Sequence, residues 1–279
     1  MKKWPLLLLA LLNCSKTNNV SIDDGADSGA QLAPPANTAP SMPDCSVGTP
    51  PQTKGGPMVH VGLLGGNCFW IDQTEVPRSD YKTFLAAADT ARYVGPGCEA
   101  DSTHSTTACE QTNANSSAKI TLADDHPIVC VDWCDAWAYC EWAGKTLCQG
   151  NWTKEADPTV SMFYSACSDG GQNPYPTGKN LDAQACNGAK NPVTGCESGS
   201  CTTAAVGTTA CRTPEGAFDL AGNVREWTAE CSGTSATSEC RARGGSMIDV
   251  DLTCSSQGTS YRKQIGYPTV GFRCCASAP

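Results

Sequence analysis

Hydrophobic and polar positions first fall into a regular pattern near residue 58. Met58-Val59-His60-Val61 has the two-residue period of a strand, and Cys68-Phe69-Trp70-Ile71-Asp72 supplies a partner across a Gly65-Gly66 turn. The period then lengthens: Tyr81, Phe84 and Leu85 recur at helical spacing, with Ser79 as a cap and Asp89 near the end. Residues 95–118 are polar and hold Cys98 and Cys109, most simply closed on themselves by a bridge, although spacing does not fix connectivity. The run Pro127-Ile128-Val129-Cys130-Val131 predicts a short strand. Asp132, with Asp135 three positions on, caps a helix whose inward face is Trp133, Ala136, Trp137, Cys140 and Ala143, and Gly144 ends it. Trp137 and Trp142 read as core rather than as a stacking platform for a ligand. Beyond Gly144, frequent Gly, Pro, Asn and Cys interrupt every long period, so bridges and bound ions must hold that half together.

The ends of the chain differ from this middle. Two lysines precede a short apolar run over residues 4–12, which is the layout of a secretory signal and too short to span a bilayer as a helix. Leu11-Leu12-Asn13-Cys14 resembles a bacterial lipobox, with Asn13 where a small residue is preferred. This implies acylation of Cys14, anchoring the mature chain to a membrane, and Ser15 after it points to the outer membrane or cell surface, with the periplasm as the alternative. Residues 14–54 are rich in Pro, Ser and Asn and poor in large apolar groups, the composition of a flexible tether. The expected organisation is therefore a signal peptide at 1–13, a tether at 14–54 and one α+β domain at 55–279, with Cys45 bonded back to the domain.

Charge and cysteine content narrow the function. A formal net charge of -9 without a basic run gives no electrostatic footprint for nucleic acid. Nineteen cysteines fit an exported protein, not a reducing cytosol. If Cys14 carries lipid, 19 − 1 leaves 18 cysteines, an even number that allows nine bridges. No two Cys-x-x-Cys pairs stand at finger spacing, so zinc is not the expected use. His60, His104 and His126 are scattered and read as surface loop or strand residues.

Several blocks carry a resemblance. These are Ile71-Asp72-Gln73-Thr74-Glu75-Val76 followed by Tyr81 and Phe84, the stretch from Pro127 to Gly144, and Phe218-Asp219-Leu220-Ala221-Gly222-Asn223-Val224-Arg225-Glu226-Trp227. Arg243-Gly244-Gly245-Ser246 and Gly271-Phe272-Arg273 follow. Their order and content resemble the formylglycine-generating enzyme (sulfatase-modifying factor) family. The resemblance implies a formylglycine-generating-enzyme-like, C-type lectin-like α+β fold with much irregular structure and structural calcium. Matching positions for one calcium ion are Asp219 and Glu226 through side chains and Gly222 and Val224 through carbonyls, oxygens suited to a hard cation. A second site would fall on Asn187, Gly188, Glu197 and Gly199.

Enzymes of that family oxidise a sulfatase cysteine to formylglycine with oxygen and copper held by two thiols. Here the first thiol position is Asp249 and the second Cys254, while Ser246 is kept. A carboxylate is a hard, poor ligand for Cu(I), so copper is not expected. Arg225, Thr253 and Thr269 also replace the Trp, Tyr and Asn common in the enzymes. Cys254 is expected in a bridge with Cys231, Cys240, Cys274 or Cys275, and the vicinal Cys274 and Cys275 should pair with two different partners. The expectation is a non-catalytic binding or scaffold module for a protein, peptide or glycan; the alternative is a formylglycine-generating oxidase, or a diverged relative, using Cys254.

Overall fold

A computed structural model describes residues 40–100, 103–113, 118–191, 196, 201–256 and 259–278. Cys14, Glu197 and Gly199 lie outside the described residues. The compact unit runs Pro40–Pro279, so residues 40–54, assigned above to the tether, pack on the domain. Gly65 N–H donates to the Ser41 carbonyl, Lys54 N–H donates to that of Ala143, and Cys45 is bonded to Cys68.

The opening hairpin forms as its alternation predicts: β1 (Met58–Gly62) pairs antiparallel with β2 (Cys68–Asp72). Helix α1 (Arg78–Leu85) buries Tyr81 and Phe84 but leaves Leu85 at the surface, and its N-cap is Pro77, with no side-chain cap, rather than Ser79. The polar loop holds a short helix, α2 (Thr107–Asn113), before β3 (Ala118–Lys119). Residues 127–131 do not form the expected strand. Pro127 makes one isolated bridge to Pro77, Ile128 N–H donates to the Val76 carbonyl, and Cys130 turns the chain with φ 65°.

Helix α3 (Trp133–Trp142) starts as read: Asp132 Oδ1 accepts from Asp135 N–H while Asp135 Oδ2 accepts from Asp132 N–H. That reciprocal pair satisfies two of the donors left open at a helix start. Trp137 and Trp142 are half-buried against the main core. Then come β4 (Thr146–Leu147), α4 (Met162–Ser168), β5 (Cys201–Thr202), β6 (Arg225–Cys231), β7 (Glu239–Arg243), β8 (Thr259–Arg262), β9 (Val270–Phe272) and β10 (Cys274–Ser277). One sheet has the order β1-β2-β10-β4 and another β8-β7-β6-β9, with β3 and β5 as a small parallel pair. The last strand thus returns to the first hairpin, closing the domain end to end.

Among the described residues nine disulfides cross-link this frame, consistent with an exported protein. Cys274 and Cys275 bond outward to Cys140 and Cys148, as two neighbours on one strand must, because their side chains point to opposite faces. Cys98 and Cys109 do not pair with each other: they bond Cys134 and Cys130, fastening the polar loop to the segment around α3. Cys254 bonds none of the expected partners but Cys167 of α4. His104 is also not a surface residue; it is 2% exposed and its Nδ1 is 3.1 Å from Asp135 Oδ1.

Candidate functional site

The turn between β7 and β8 carries Ser246, Asp249 and Cys254, and it faces the first residue of β6, Arg225. Arg225 Nη2 lies 2.5 Å from Asp249 Oδ1, and Nη1 donates to Thr269 Oγ1 at 3.2 Å. The other carboxylate oxygen of Asp249 accepts from Ser246 N–H at 2.7 Å and from Ser246 Oγ at 2.8 Å. Three positions that the sequence marks separately as altered, Arg225, Asp249 and Thr269, therefore form one contact. The space beside Arg225 and Asp249 is a polar pocket of only about 120 Å³. Cys254 is fully buried, and its sulfur is bonded to Cys167. Donor chemistry here does not fit Cu(I), which takes soft thiolates: the one sulfur is already bonded and the other position holds a carboxylate paired with a guanidinium.

A second group of polar residues is fully buried. Arg273 clasps Glu226 with two hydrogen bonds, Nε to Oε2 at 2.6 Å and Nη2 to Oε1 at 2.7 Å. Glu75 and Asp219 complete the group. Asn223 Nδ2 donates to Glu75 Oε1 at 2.9 Å and Thr209 Oγ1 to Asp219 Oδ1 at 2.5 Å, but Glu75 Oε2 and Asp219 Oδ2 are buried without a partner. Burial, and then the Asp219 charge, push Glu75 well above the usual carboxylate range; burial lifts Asp219 to about 6 against the hydrogen bond from Thr209. Burial also raises Glu226, opposed by Arg273. Three carboxylates against one guanidinium leave two negative charges when all are ionised, the charge one divalent cation would balance.

Backbone geometry explains the glycines of this region. Gly222 has φ 88° and a side chain there would meet the Asn187 carbonyl at 2.6 Å; Gly244 has φ 89° and would meet that of Leu220 at 2.8 Å. Only a residue without Cβ lets these strands of chain approach. Asn223 ties the approach together: its N–H donates to the Asn187 carbonyl and its Oδ1 accepts from Asn187 Nδ2 and from Ala204 N–H. Asn187 is thus linked through Asn223 to Glu75, and its Oδ1 is a third buried oxygen without a partner.

A family model for the sulfatase-modifying factor enzyme 1-like domain matches residues 45–278. The chain belongs to that family. Its fold agrees with solved structures that share little sequence with it. The crystal structure of CarF is 17% identical over 86% of this chain and 97% of that one, with a TM-score of 0.52. PvdO from Pseudomonas aeruginosa is 20% identical over 86% and 90%, with a TM-score of 0.51. No curated protein matches the chain closely enough to count as a relative. Against the sulfatase-modifying factor blocks, the sequence singled out Asp219 and Glu226 but gave Glu75 no role, although it stands in the first block. Its surroundings do not mark it: Glu75 follows the polar run Asp72-Gln73-Thr74 after the end of β2 and reads as a surface residue.

Proposed function

We propose that this sulfatase-modifying factor domain is an exported, non-catalytic binding or scaffold module, carried on a membrane by lipid at Cys14, that holds a protein, peptide or glycan. The observation that supports the reading most is the state of the two positions where the family's oxidases keep thiols. Asp249 is committed to Arg225 and Ser246, and Cys254 to Cys167. Formylglycine chemistry needs a free thiol to engage the substrate cysteine, and neither position supplies one. The test incubates the oxidised protein with copper, oxygen and a cysteine peptide from a sulfatase. No aldehyde should form, and accumulation of formylglycine would reject the reading.

We further propose that Asp219, Gly222 and Val224 hold a structural calcium ion. Calcium takes six to eight oxygens, carboxylates and carbonyls among them, and the unpartnered Asp219 Oδ2 is such an oxygen. Glu226, the fourth residue of the expected set, spends both oxygens on Arg273, and Glu75 offers the free carboxylate oxygen in its stead. Asn187 joins Glu75 through Asn223, so its oxygen serves this ion rather than a separate second one. When bound, the ion supplies charge balance in the core, with no chemical step assigned to it.

A further inference from the structure

His60 of β1 stands opposite Trp70 of β2, and the two rings stack with centroids 4.3 Å apart and planes 5° from parallel. The stack fixes the imidazole. Yet both of its ring nitrogens are buried without a hydrogen-bond partner, as is Nε1 of Trp70, a residue only 6% exposed. A neutral imidazole carries one N–H and one lone pair, and here neither is used. Beside the ring lies the Cys45–Cys68 bridge: one ligand atom from each of Cys45, His60 and Cys68 falls within 4.8 Å of the others, and among the described residues no other His, Cys, Asp and Glu group has that spacing. The cavity at this place, about 450 Å³, is also lined by Met42, Asp169 and Glu215.

Accessibility distinguishes this bridge from the rest. Cys45 and Cys68 are both partly exposed, whereas each of the other eight bridges has at least one buried cysteine. Thiol–disulfide exchange requires an approach to a sulfur, so this bridge opens first.

We propose that Cys45, His60 and Cys68 form a redox-gated site for a thiophilic d10 cation, with Zn(II) as the probe. A dithiol reductant gives two electrons to the S–S bond, which breaks; the reductant closes to its own disulfide and its two protons pass to the Cys45 and Cys68 sulfurs. Zn(II) then displaces those two protons and takes two thiolates and the neutral imidazole as ligands. Zinc needs about 2.3 Å to sulfur and about 2.0–2.1 Å to nitrogen. The ligand atoms already lie within 4.8 Å of one another and the two Cα atoms are 5.8 Å apart, so little beyond parting the sulfurs is required. The fourth coordination position is left to water or a ligand in the cavity, where the Asp169 and Glu215 carboxylates favour a cation. Sequence spacing does not reveal the site because its ligands come from the N-terminal segment and two different strands.

The test uses the full oxidised chain, treated with one equivalent of a trialkylphosphine, which ends as its oxide with oxygen from water. Alkylation and mass mapping should label Cys45 and Cys68 before any other cysteine. One Zn(II) per chain should bind only after reduction, by equilibrium dialysis, and Co(II) in its place should show thiolate-to-metal charge transfer. His60→Ala should weaken binding on the order of 100-fold, since even second-shell losses cost 10–100-fold. The Cys45→Ser, Cys68→Ser double variant should bind no Zn(II) in either state. Opening of another bridge first, absence of uptake by the opened protein, or uptake unchanged in either variant overturns the proposal.

Discussion

Asp219→Asn should stabilise the calcium-free protein at neutral pH. Asp219 is fully buried and its pKa is lifted from 3.8 to about 6. A carboxyl whose folded pKa is raised leaves stability intact below its unfolded pKa and removes it as pH rises through the folded value. The loss therefore accrues between about pH 4 and about pH 6. Two units at about 1.4 kcal/mol each make it on the order of 3 kcal/mol at neutral pH. Asparagine carries no charge to desolvate and relieves the repulsion felt by Glu75 and Glu226. For a domain of this size about 3 kcal/mol corresponds to roughly 6–12 °C in Tm. The assay is calorimetry in chelator at pH 4 and pH 7.5, disulfides intact, comparing variant with wild type. A variant advantage at pH 7.5 that vanishes at pH 4 is expected. Calcium at about 100 times its Kd should return about 2.7 kcal/mol to the wild type and little to the variant. A variant less stable than wild type in chelator at pH 7.5 would refute the reasoning.

Glu230→Ala strips the buried Arg243, and one contact of Arg241, of its carboxylate; stranding a buried charge costs about 3–5 kcal/mol, read by denaturant unfolding. Replacing Cys167 and Cys254 together by Ser removes a bridge of sequence separation 87 and should cost about 2–4 kcal/mol in the same assay, without creating a copper site. Arg225→Ala breaks a pair whose side chains are only 15% and 24% exposed, so the loss in chemical denaturation should exceed the ~1 kcal/mol of a surface pair and fall short of the ~3–5 kcal/mol of a fully buried one.

The parts of the fold written in local periodicity were legible from sequence. The hairpin of β1 and β2 and the Asp132–Asp135 capping pair both form where the residues place them. The strand expected at 127–131 fails because apolar runs do not distinguish a ladder from a buried extended segment, and here Cys130 turns with positive φ. Strands β6 and β7 leave no alternation to read because buried charges, Glu226, Glu230 and Arg243, occupy core positions. Only the distant partners, such as Arg273, make those charges tolerable. The altered trio of Arg225, Asp249 and Thr269 was legible as three departures from the family pattern. That they touch is a tertiary fact, as is the choice of Cys167 by Cys254.

Whether the domain is catalytic is decided most directly by the state of Cys254 under turnover conditions. The oxidised chain is incubated with copper, oxygen and a sulfatase-derived cysteine peptide, then digested and mapped by mass without reduction. Cys254 should remain bonded to Cys167, and the peptide cysteine should be recovered unconverted. A free or substrate-linked Cys254 together with a peptide aldehyde would contradict this.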